Sequence, residues 1–225
     1  MAHRNNGNNS GGSLVDGSAL ARLLAEAGRD FYRRGWVSGT SGNFSAVANT
    51  EPLRLSITAS GADKGALTTR HILQIDEHGQ VTRGRGRPSD EALLHLAVVR
   101  ARGAGAVLHT HSVWSTLLSD AFAADGRLFI EGFEMLKGLA GVRTHEHREA
   151  LPIIENSQDM EALARSLEGA LASYADSHGV LLRRHGLYTW GRDLAEAKRH
   201  VEVLEFLLEV TGRAYCAHGR GPAVA

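Results

Sequence analysis

Short apolar runs joined by only a few turn-forming residues constrain this 225-residue chain more than any other feature. Ile72–Ile75 and Gln80–Thr82 flank the turn Glu77-His78-Gly79, and Val180–Leu182 leads through His185-Gly186 into Leu187–Trp190. Connections that short join antiparallel neighbours, because a parallel pair needs a crossover of about a dozen residues or more. Between the hairpins the apolar period becomes helical. Leu14, Leu20, Leu23, Leu24, Ala27 and Phe31 mark a helix that stops at Gly35. Others are expected from Ser89, as N-cap, to Gly103, over 112–119 and 159–174, and from Asp193 to Tyr215, where Glu196 completes a capping box. The expectation is an α/β layered fold with a mixed or antiparallel sheet, in one domain over 14–217. The Asn/Gly/Ser-rich residues 1–13 read as a disordered leader and 218–225 as a flexible tail.

Charge narrows the partners. Twenty-five basic and twenty-five acidic residues cancel, so no global field draws the chain to nucleic acid or an anionic membrane. No apolar run approaches the ~18 residues of a membrane span. The single cysteine, Cys216, excludes an intrachain disulfide and fits a reducing, cytoplasmic setting. It also excludes a cysteine-built zinc site, leaving histidine and carboxylate as metal ligands.

The sharpest chemical signal is Leu108-His109-Thr110-His111-Ser112. Residues two apart on a strand project to one side, so both imidazoles can meet at one point. A catalytic zinc takes three protein ligands and keeps one position open. A surface or core pair is the ordinary alternative for a lone His-x-His. A third ligand has two candidate sources. His145 and His147 lie among Arg143, Glu146, Arg148 and Glu149, the setting of a salt-bridged surface turn. His185 follows the apolar Val180-Leu181-Leu182, which carries it to a sheet end, and is the favoured third.

Gly42-Asn43, Ser60-Gly61 and Ser89-Asp90 form a more scattered signal. Glycine lets backbone N–H groups approach an anion, and Ser or Asn adds short donors. Ser89 and Asp90 would head a helix whose first amides suit an anion, and Lys64 would add positive charge. Each piece alone is ordinary turn chemistry.

Taken in order, Gly39-Thr40-Ser41-Gly42-Asn43, Thr58-Ala59-Ser60-Gly61, Pro88-Ser89-Asp90-Glu91, His109-Thr110-His111 and His185-Gly186 resemble the class II aldolase/adducin head family. The resemblance runs over about residues 15–215. It implies a class II aldolase-like layered fold, with a central, mainly antiparallel sheet flanked by helices, and a homotetramer with sites near subunit boundaries. It implies one Zn²⁺ per subunit on His109, His111 and His185. It also implies a small phosphorylated ketose as substrate, its phosphate held around Gly42, Asn43, Ser60, Gly61, Ser89 and Asp90. Phe133–Gly138, Leu151–Asn156, Arg183–Gly191 and Ser60–Gly65 resemble a dehydratase branch of methionine salvage, in which Glu134 is implied as the catalytic acid/base.

The chemistry suits such a branch. In a ketose with a C2 carbonyl and a C4 hydroxyl, a Lewis-acidic ion makes C3–H acidic. A carboxylate can take that proton and protonate the departing hydroxyl. Spacing alone reads Glu134 as a helix-opening glutamate favoured by the dipole. Glu91 is a rival, because in the family's sugar-phosphate aldolases the Glu of the Pro-Ser-x-Glu element does acid/base work near the metal. Asp90 departs from the small neutral residue common there, and its ionised side chain would repel a phosphate. Two other readings stay open: a class II aldolase or pentulose-phosphate 4-epimerase, and a metal-free, adducin-like binding domain.

Overall fold

The computed structural model describes residues 17–218, so the expectations for 1–13 and 219–225 lie outside it. Along the described chain the elements are α1 (Gly17–Arg33), β1 (Asn43–Thr50), β2 (Leu53–Thr58), β3 (Ile72–Asp76), β4 (Val81–Arg83), α2 (Ala92–Arg102) and β5 (Ala106–Thr110). They continue with α3 (Val113–Ala121), β6 (Arg127–Glu131), β7 (Arg148–Ile154), α4 (Met160–Ser173), β8 (Gly179–Leu182), β9 (Gly186–Gly191) and α5 (Leu194–Ala217). The strands make one sheet, β4-β3-β2-β1-β5-β9-β8-β7-β6. Every neighbouring pair is antiparallel except β7 and β8.

Strand alternation decides what each face buries. Leu55, Ile57, Leu73, Ile75, Val180 and Leu182 point to the layer of α2 and α4. Phe44, Leu108, Leu181 and Leu187 point to the opposite layer, made by α1, α3 and α5. The sheet therefore lies between two helical layers, and no helix among the described residues is long and apolar enough to cross a membrane.

Two local expectations change. The sequence reading passed over β1, β6 and β7. β1 is spelled largely in small and polar residues, and its buried Ser45 is satisfied by a hydrogen bond to His95 of α2 (2.7 Å). The second change concerns α2, which starts at Ala92 with Glu91 in the cap position and no side-chain cap bond. Ser89 is thus not its N-cap, and Ser89, Asp90 and Glu91 belong to the turn before it. At α5 half of the expected capping box holds: Asp193 accepts from the Glu196 N–H at 2.8 Å, while the Glu196 carboxylate accepts from the Arg192 N–H (3.3 Å) instead of closing back on Asp193.

Candidate active site

β5 runs antiparallel to β1 and β9, and its end carries His109 and His111. His109 lies opposite Tyr188 of β9 and stacks on its ring, centroids 4.0 Å apart. The three-residue turn between β8 and β9 delivers His185 to the same point. That turn is held by Asp120 of α3, which pairs with Arg183 (2.8 Å) and Arg184 (2.9 Å). A Cβ on Gly186 would overlap the Thr110 carbonyl oxygen, so only glycine lets the turn close this tightly on β5.

The result is a triangle of imidazole nitrogens. Nε2 of His109 is 2.7 Å from that of His111 and 3.3 Å from that of His185, and the third side is 3.2 Å. Two tautomers follow from fixed partners. His109 donates from Nδ1 to the Leu187 carbonyl (3.0 Å), and His185 Nδ1 faces Asn156 Oδ1 (3.2 Å). Their Nε2 lone pairs are thereby turned inward, in the manner of metal-bound imidazoles with supporting acceptors. Burial, then mutual repulsion, pushes the His109 pKa well below its ordinary value and that of His111 down to about 2. Burial also lowers that of His185. Three neutral imidazoles with converging Nε2 atoms fit a divalent ion, whose tetrahedral ligands stand about 3.3 Å apart at bonds of about 2.0–2.1 Å.

Glu91 closes the fourth side, Oε1 3.3 Å from His185 Nε2 and Oε2 3.7 Å from His109 Nε2. Its position is set by a relay that sequence reading missed. Ser45 donates to His95 Nδ1, His95 donates from Nε2 to Asn43 Oδ1, and Asn43 donates from Nδ2 to Glu91 and to Ser89 Oγ (3.2 Å). His95 is fully buried, which lowers its pKa to about 4 and keeps it neutral for this task. The Asn43 amide is consequently committed to holding Glu91.

Beside this cluster lies a cavity of about 150 Å³ lined by Thr40, Ser41, Gly42, Asn43, Ala59, Ser60, Gly61, Lys64, Ser89, Glu91 and His111. Burial lowers the Lys64 pKa to about 8. Its ammonium donates to the carbonyls of Thr40 (2.8 Å) and Ala62 (2.9 Å), which clamps two cavity loops and leaves one N–H.

Residues 22–211 match the Class II Aldolase and Adducin N-terminal domain family. The chain belongs to that family. It is similar to the methylthioribulose-1-phosphate dehydratase of Marinobacter nauticus, with 43% identity over 85% of this chain and 92% of the relative. The enzyme of the same name from Methylococcus capsulatus is 44% identical over 87% and 94%. Among solved structures, the L-fuculose-1-phosphate aldolase of Thermus thermophilus superposes with a TM-score of 0.69 at 26% identity, covering 88% of this chain and 96% of that one.

Four residues named from the sequence, Asp90, Glu134, His145 and His147, stand outside the class II aldolase cavity of their own chain. Asp90 faces solvent beside Arg87 (3.7 Å). Glu134 begins an exposed 3₁₀ turn, bonded to Lys137 (2.6 Å) and 3.8 Å from the exposed His145. Lys137 lowers the Glu134 pKa. His147 is not part of a solvated turn, as expected, but half-buried against Glu149 (2.8 Å).

Behind the His-x-His of this class II aldolase fold, Glu205 of α5 accepts from the Thr110 hydroxyl, while its Oε2 is buried without a hydrogen-bond partner among the described residues. Burial raises its pKa from 4.5 to about 7, with Glu209 adding to the effect. Between those values the folded chain binds the extra proton, so stability falls as pH rises from about 4.5 to 7 by roughly 3 kcal/mol. Glu205→Gln removes that loss. Thermal melts should show the variant several degrees more stable than the parent at pH 8 and equal to it near pH 4.5; parallel curves would contradict this.

Proposed function

We propose that this chain dehydrates 5-methylthioribulose 1-phosphate to the 2,3-diketo-5-methylthiopentyl 1-phosphate of methionine salvage, with Zn²⁺ held by His109, His111 and His185. The carrying observation is the His₃ triangle with a carboxylate, Glu91, against it and a cation-braced cavity beside it. The same reading is supported by the similarity to dehydratases over most of both chains.

The bound ion would polarise the substrate's ketone and so acidify C3–H. Everything else is done by side chains. Gly42, Ser60, Gly61 and Ser89 line the phosphate end, and the remaining Lys64 N–H supplies charge there; Asp90 contributes at most its backbone N–H. Anchoring that end holds C3 in register with Glu91. Glu91 takes the C3 proton. The C4 hydroxyl then leaves as water after receiving a proton, and the resulting enol tautomerises by taking a proton at C4. Glu134 is the donor to the leaving hydroxyl, presented to the cavity of a neighbouring copy within a homotetramer. Its exposure in its own chain supports that arrangement. The cytoplasm is the proposed location.

Metal-loaded protein should convert 5-methylthioribulose 1-phosphate to the diketone, lose activity with chelator and regain it on adding zinc. Dihydroxyacetone phosphate or glycolaldehyde phosphate among the products would instead identify an aldolase.

A further inference from the structure

At the other end of β8 from His185, roughly 13 Å of strand away at about 3.3 Å per residue, a second group of metal-ligand side chains converges. Glu149 of β7 is buried, and its Oε2 meets Nε2 of His147 at 2.8 Å and Nδ1 of His178 at 3.0 Å. Its Oε1 accepts the backbone N–H of His178 at 2.8 Å. The second ring nitrogen of His178, Nε2, lies 2.9 Å from the Ala140 carbonyl oxygen, which can only accept, so Nε2 carries the proton. Nδ1 then faces the carboxylate, held there by a proton in an imidazolium–carboxylate pair or by a metal ion that displaces that proton and takes the same lone pair.

His200 marks the contrast. Its ring is 5.1 Å from that of His178, yet both nitrogens are used: Nδ1 donates to the Trp190 carbonyl (2.7 Å) and Nε2 accepts the Ala140 N–H (3.0 Å). It has no lone pair to offer.

We propose that His147 Nε2, Glu149 Oε2 and His178 Nδ1 form a second metal site for a divalent cation of the zinc class, separate from the His109–His111–His185 centre. The three atoms lie within 4.8 Å of one another. The two short separations need to widen by only a few tenths of an ångström to reach the roughly 3.3 Å spacing of tetrahedral zinc ligands. Ala140 behind His178 and the His178 amide behind Glu149 are the supporting partners such a site requires. Two imidazoles with one carboxylate select zinc-like ions over magnesium or calcium, which prefer all-oxygen shells. A fourth position opens on a cavity of about 690 Å³ that His147 and His178 line together with Arg102, Val142 and Arg192, leaving room for water. The ion would pin the start of β7 to the start of β8 and, through Ala140, secure the segment that leads from Glu134 to His147.

Full-length protein is stripped with chelator, dialysed against Zn²⁺, and its metal counted by mass spectrometry. Two zinc ions per chain are expected, falling to one in His147→Ala and to one in the His111→Ala/His185→Ala double variant. An anomalous difference peak at the zinc edge should lie between His147 and His178 in crystals of the unaltered protein, a reading that does not depend on any variant folding. One zinc per chain, unchanged by His147→Ala, or an anomalous map without that peak, overturns the proposal. Because the peak is sought outside the catalytic centre, its presence or absence is independent of whether the dehydratase reading holds.

Discussion

Replacing His111 or His185 by alanine should lower turnover of 5-methylthioribulose 1-phosphate by more than ~10³-fold, because Lewis-acid stabilisation is worth several kcal/mol and each 1.36 kcal/mol is tenfold. The reason is visible in the triangle of Nε2 atoms. With separations of 2.7, 3.2 and 3.3 Å, the lone pairs turned inward on His109 and His185 face one another, and a cation among the three nitrogens relieves that repulsion. Removing one ring weakens the site for metal while relieving that repulsion in the metal-free chain. The variants should therefore melt no lower than the parent in chelator, yet gain less than the parent when zinc is added, since binding stabilises by mass action. Asn156→Ala is the graded case. It leaves all three ligands but frees the His185 ring, and zinc affinity should fall ~10–100-fold, as for other supporting residues. Isothermal titration and a turnover assay check both. Undiminished turnover by His185→Ala in chelator would remove the metal from the reaction.

The histidine centre was readable because its rule is local. Two residues apart on a strand means one side of the sheet, and an apolar strand ending in His-Gly puts His185 at a sheet end. The need for glycine at 186 can be suspected without long-range knowledge, although its reason, the Thr110 carbonyl standing where a Cβ would go, cannot. What escaped depends on partners far apart in the chain. β1 escapes a sequence reading because Asn43, Ser45 and Asn49 interrupt its apolar pattern; they are strand residues here because β2 and β5 satisfy the backbone and His95 satisfies Ser45. His95 itself sits on the buried face of an apolar helix, where a histidine looks like filler. Only the fold shows that it grips Asn43, 52 residues away. His147 was read as solvated because its sequence neighbours are charged, whereas its burial comes from Glu149 and from His178, which lies on another element. The orientation of Glu91 was hidden for a smaller reason. A helix that starts at Ala92 instead of Ser89 turns Glu91 from a first-turn residue into a cavity residue.

That shift makes Glu91→Gln the most discriminating single substitution. Turnover should fall by ~10²–10⁴, the usual worth of a positioned acid/base. Metal content should stay unchanged, because glutamine keeps an oxygen for the Asn43 amide and removes no ligand. Glu134→Gln should fall by a similar factor, although Glu134 is exposed and bonded to Lys137 in its own chain. The two losses can be separated by co-refolding the inactive variants in equal amounts. If Glu134 serves a neighbouring copy, about a quarter of the cavities in randomly mixed, symmetric oligomers pair an intact Glu91 with an intact Glu134, and activity returns to that level. If both carboxylates act within one chain, every cavity lacks one of them and mixing restores nothing. Full turnover by Glu134→Gln alone would remove it from the chemistry and leave Glu91 to move both protons.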